Sequence, residues 1–215
     1  MEFPQSLPAR FYLLAYDPAK QRPVTGERIQ YSLRAAALTD LWLTGHLTDE
    51  RGRPTPAPRG TAAPVADPVL AAILGQIEES RPRKWEHWIS RSDRGIRAAV
   101  RDQLVAGRWI RAEQHRRLGL IRTDRITIRD PLLRKGLTAA VTETLRPGRL
   151  VAQLDPRDAA LTALAATGKA RTALPRGTAR QHRARIGQLT EVAGPALPAL
   201  RKAINSANAA AASAG

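Results

Sequence analysis

The chain contains no cysteine. Disulfides and thiolate metal sites are therefore excluded, and an intracellular compartment is favoured. No stretch approaches 18 consecutive apolar residues, so no segment is expected to span a bilayer. The N-terminal MEFPQSLPARFYLLAYDP carries only a short apolar run, Phe11 to Ala15, without a basic leader, and reads as no signal peptide. GxGxxG and P-loop patterns are missing, as is a GxSxG elbow, which removes the usual supports for nucleotide binding and serine hydrolysis. The four histidines, His46, His87, His115 and His182, stand at spacings unlike a metal cluster or a triad, and read as surface or boundary residues. Three aspartates, Asp67, Asp130 and Asp155, each precede a proline, where helix capping accounts for them. The expectation is a protein without catalytic residues, metal ligands or cofactor.

Positive charge is abundant. The 215 residues carry 35 Lys/Arg against 19 Asp/Glu, a net charge of +16. Between Arg81 and Arg149 there are 18 Lys/Arg and 7 Asp/Glu, so this third of the chain holds most of the excess. Of the cations 30 are arginine, which a GC-rich genome would also favour, but such a bias does not explain the local concentration. A patch of this kind attracts phosphates, on nucleic acid or on lipid headgroups.

Apolar periodicity predicts a mainly α protein, a single globular helical domain over 1–208 with a prominent β-hairpin and minor strands, and a frayed Ala-rich tail over 209–215. Helices are expected over Leu7–Tyr16, Ile29–His46, from Asp67 to Ser80, around Trp85–Ile89, from Asp130 through Leu145, from Asp155 through Ala165, and around Leu197–Ile204. Arg53 to Pro68, with five prolines, reads as a surface loop. Trp42 and Trp88, at apolar helix positions, read as core.

The stretch from Arg94 to Asp130 reads as the one around which the rest is organised. RGIRAAVRDQLVAGRWI has an apolar helix face from Ile96, Val100, Leu104, Val105 and Trp109, with Arg94, Arg97 and Arg101 stacked on the other side. RAEQHRRLGLIRTDRITIRD follows as a hairpin with a polar turn at Thr123-Asp124 and a short apolar segment, Leu118, Leu120 and Ile121. Cations beside an apolar projection suit an anionic surface with an apolar interior. A helix followed by a basic hairpin also fits a winged-helix nucleic-acid binder, and the residues leave both open. Apolar side chains on the hairpin favour the membrane.

Five stretches carry a resemblance: LPARFYLLAYD, YSLRAAALTDLWLTGHL, DPVLAAILGQIEESRPRKWEHWI, RGIRAAVRDQLVAGRWI with its hairpin, and DPRDAALTALAATGKA. Their order resembles the Golgi phosphoprotein 3 family, in a bacterial-type member, over most of residues 7 to about 190. The resemblance implies a single helical domain whose eukaryotic relatives bind phosphatidylinositol 4-phosphate, insert a hairpin into the leaflet and recruit cytosolic tails of membrane enzymes. It implies a cytoplasmic, peripherally membrane-associated adaptor, with oligomerisation open. The headgroup pocket would draw on Arg34, Arg94 and Arg97, with Arg101 beside them, and Leu118, Leu120 and Ile121 would enter the membrane. Two features depart from the family: Thr25 stands where the eukaryotic pocket has a tryptophan, and the hairpin is longer and more basic, without aromatics at its tip.

Overall fold

The computed structural model describes residues 2–24, 29–58, 60–91, 95–117 and 121–213, without the side chains of 114–117 and 121–124. Four helices begin on a proline in the first turn. α1 spans Leu7–Leu14, α3 Pro68–Glu78, α6 Pro131–Thr144 and α7 Pro156–Thr167. In three of them an aspartate caps the start: Asp67 accepts from the Val69 and Leu70 amides, Asp130 from Leu132, and Asp155 from Arg157 and Asp158. Proline at N1 loses no helical hydrogen bond, and the carboxylate satisfies amides that have no partner within the helix.

α2, Ile29–Leu43, lies at the centre of the molecule, not the Arg94–Asp130 stretch. It is buried on every side from Tyr31 to Leu41 and packs against α1, α3 and α7. It also meets α4 (Trp85–Ser90), α5 (Gly95–Ala106) and α10 (Ala196–Ser213). A helix enclosed all round needs small side chains where neighbours approach, and Ala35, Ala36 and Ala37 supply them. Its buried Asp40 is tied down at both oxygens. It accepts the Leu7 amide at 2.7 Å and the Arg157 guanidinium at 3.2 Å, joining the starts of α1 and α7 to α2.

Short antiparallel pairs join Tyr16–Asp17 (β1) to Arg22–Pro23 (β2), and Leu47–Asp49 (β3) to Pro54–Pro56 (β4). So α1 stops two residues before the expected Tyr16, and the proline-rich loop opens with a strand. The large hairpin pairs Ile110–Arg117 (β5) with Ile121–Ile128 (β6). Its register places Thr123 opposite His115 and Asp124 opposite Gln114, so the expected turn at Thr123-Asp124 is strand instead. Burial of Ile126 and Ile128 on the same face as Ile110 fixes that register, because a one-residue slip of β6 would turn both to solvent. The hairpin base is bolted down by Tyr16, whose hydroxyl donates to the Ile126 carbonyl at 2.8 Å. Thr25, Leu118 and Leu120 lie outside the described residues, and Ile121 is described only as the first residue of β6.

The basic stretch after Arg176 folds into α8 (Thr178–Gln181) and α9 (Arg183–Ala193), a helix the sequence pattern does not announce. α10 runs through Ser213, longer than the helix expected around Leu197–Ile204; its last alanines are exposed, and their helix propensity carries them.

A candidate phosphate site at the junction of α4 and α5

Arg34 emerges from the middle of α2 with 1% of its surface exposed. Its Nη1 donates to the Trp88 carbonyl at 3.3 Å. That carbonyl belongs to the last turn of α4, where backbone acceptors lack partners within the helix and a cation is favoured. Arg91, the residue ending α4, sets its guanidinium 5.7 Å from the Trp88 ring centroid. His87 meets the same indole edge-on at 5.5 Å. Partial burial, then the charges of Arg83, Arg91 and Arg34, hold the His87 imidazole below its ordinary value of 6.5. Arg34, Arg91 and His87 thus all meet Trp88 near the end of α4, and α5 starts at Gly95.

The arginines expected from the sequence distribute unevenly. Arg94 lies outside the described residues. Arg97 is exposed on the first turn of α5 and makes no ion pair among the described residues. Arg101 is bound to Asp102, with its Nε and Nη2 both 2.8 Å from Oδ1. Glu113 pairs with Arg111 at 3.1 Å.

α5 itself buries Ile96, Val100 and Leu104. Val105 is 39% exposed and Trp109 lies beyond the helix end, so neither completes the expected apolar face. One flank of the buried stripe, with Gly95, Ala99 and Ala106, borders a cleft of about 490 Å³ against α3, which Arg34 also lines. At 100° per residue Arg97 and Arg101 fall on the other flank. Arg34 and Arg97 therefore lie on opposite flanks of the buried stripe of α5.

His87 and Arg91 are the members of this cluster that sequence reasoning missed. His87 and Arg91 stand four residues apart across the end of α4, and that spacing was the available signal. Chemically, the cluster offers guanidinium donors and a titratable imidazole to an anion at the protein surface. Among the described residues no helix is long and apolar enough to cross a membrane.

A search among curated proteins returns no match. A family model described as Golgi phosphoprotein 3 (GPP34) matches residues 7–207, a span that includes the whole of α2, α4 and α5, which build the junction. The chain belongs to the Golgi phosphoprotein 3 family.

Proposed function

We propose that this chain is a peripheral membrane protein that binds the phosphate of an anionic phospholipid headgroup, phosphatidylinositol 4-phosphate or a close analogue, at the α4–α5 junction. The observation that carries the reading is the convergence of Arg34, Arg91 and His87 on the end of α4, with Arg97 exposed one turn into α5. A phosphomonoester has near two charges and three acceptor oxygens, which arginine forks match. Arg94, between Arg91 and Arg97 in sequence and outside the described residues, is proposed as a further cation of the site. The hairpin residues Leu118, Leu120 and Ile121 enter the leaflet, each adding up to about 1.5–3 kcal/mol at full burial. Neither contribution alone holds a protein on a membrane, whereas the two together do. The role is that of an adaptor without catalysis, its partners the membrane surface and cytosolic tails of membrane enzymes. Thr25, in place of the tryptophan of the eukaryotic pocket, removes a stacking wall and broadens the choice of headgroup.

Co-sedimentation with phosphatidylcholine vesicles tests this reading. Binding is expected to rise when phosphatidylinositol 4-phosphate is included, to exceed binding to phosphatidylglycerol vesicles of equal charge, and to fall with added salt. Tight binding to duplex DNA at physiological salt, with none to any vesicle, would replace the membrane reading with the nucleic-acid one.

A further inference from the structure

The cleft between α3 and α5 has a character the headgroup reading does not use. Its walls are Val69, Ala72 and Ile73 from α3, and Ile96, Ala99 and Ala106 from α5. Small residues face each other across it, and Ala72 and Ala99 are exposed, so the two helices leave a furrow of about 490 Å³ between them. That volume and predominantly apolar lining match sites that enclose small organic ligands. The polar groups are few and placed. Arg34 lines the cleft at the end shared with the α4–α5 junction. Asp102, at the rim, is neutralised by Arg101. Gln103 turns its amide nitrogen to the Asp67 carboxylate, which fixes the opposite orientation for its oxygen. That Oε1, and the Oε1 of Gln76 on the facing wall, are buried without a hydrogen-bond donor. Buried acceptors of this kind call for a donor.

We infer that the α3–α5 cleft takes one aliphatic chain of an anionic, hydroxyl-bearing amphiphile, so that a lipid bound at the junction is held by its chain as well as by its phosphate. The inference rests on the headgroup reading and extends it. The apolar walls exclude water around the chain, hydroxyls of the ligand donate to Gln76 and Gln103, and the anionic end lies at the Arg34 side. An alkane would leave both amide oxygens unsatisfied, and a cationic amphiphile would meet Arg34.

Isothermal titration calorimetry with two probes sharing one headgroup tests this: dihexanoyl phosphatidylinositol 4-phosphate below its micelle concentration, and glycerophosphoinositol 4-phosphate, which has no chains. The chain-bearing probe is expected to bind at least about tenfold more tightly, the order of difference that burying two or more methylenes produces. Ala72→Trp and Ala99→Trp fill the furrow from opposite walls at exposed positions, and each is expected to abolish that gain while leaving the chainless probe unaffected. Two variants on separate helices keep the comparison open if one fails to fold, and the wild-type probes decide independently of both. Equal affinity of the two probes, or a gain that survives both tryptophans, overturns the cleft inference and leaves the headgroup reading standing. Absence of binding by either probe overturns both.

Discussion

Replacing Arg94 and Arg97 together by alanine is expected to weaken binding to vesicles containing phosphatidylinositol 4-phosphate by about two orders of magnitude. A hydrogen bond to a charged group contributes about 1.5–3 kcal/mol. Losing one from each arginine therefore costs about 3 kcal/mol at the lower end, or roughly a hundredfold. Arg97 is exposed and makes no ion pair among the described residues, so its removal leaves the fold without an orphaned partner. Arg101→Ala is the matched control. It removes one charge from α5, but that guanidinium is already committed to Asp102, and the expected loss is less than about threefold, below the single-charge contribution near an anionic surface. Equal losses per arginine from the double variant and from Arg101→Ala would show general charge attraction without a pocket. Vesicle co-sedimentation at fixed ionic strength makes the comparison.

The largest effect on stability is expected at Asp40, with no direct consequence for lipid. Asp40→Ala removes the acceptor for the Leu7 amide and the partner of Arg157 at a wholly buried position. Leaving the buried Leu7 amide without an acceptor costs about 1–3 kcal/mol, while Arg157, 36% exposed, turns to solvent, and the loss is readable as a drop in the urea midpoint with the slope unchanged. Asp40→Asn keeps one acceptor and the shape, and is expected to cost much less. Its pH dependence is distinctive. Burial raises the Asp40 carboxyl above its ordinary 3.8, against the lowering effects of the Leu7 amide and Arg157. The folded chain then holds this proton more tightly than the unfolded chain. The resulting stabilisation is complete below 3.8 and is lost as pH rises through the raised folded value. Asp158, also raised by burial, acts in the same direction. Denaturant unfolding across that window should show stability falling with pH in the wild type and falling less in Asp40→Asn. An unchanged pH slope would mean that Asp40 does not titrate differently on folding.

Much of the fold is legible in local chemistry. The Asp-Pro starts of α3, α6 and α7 combine a side-chain cap with a pre-set φ, and both act within one turn whatever the rest of the chain does. Where tertiary packing decides, the sequence is a poorer guide. Thr123-Asp124 has turn composition, yet the isoleucine pattern at the hairpin base sets the register and draws both into β6. α9 has a basic, weakly patterned sequence and is organised by packing on α7. Val105 has the residue type of a core position but falls off the stripe of Ile96, Val100 and Leu104.

The candidate site divides in the same way. Nothing local marks Arg34 as buried, because an arginine among alanines and leucines reads as a solvated helix position, and the resemblance alone pointed to it. Its burial depends on the end of α4, 54 residues away in sequence, where the Trp88 carbonyl receives it. His87 and Arg91 were legible through their spacing of four, but only once α4 was known to expose that face beside Arg34.

A phosphate seated among Arg34, Arg91 and Arg97 would have the His87 imidazole as its nearest titrating reporter. The ring protons of His87, assigned by comparison with His87→Gln, can be followed through pH by NMR, first alone and then with saturating glycerophosphoinositol 4-phosphate. An anion that offsets the charges of Arg83, Arg91 and Arg34 favours the imidazolium, so the midpoint is expected below 6.5 in the free protein and to shift upward on binding. A midpoint that stays in place while the ligand is bound would put the phosphate elsewhere and overturn the assignment of this junction as the headgroup site.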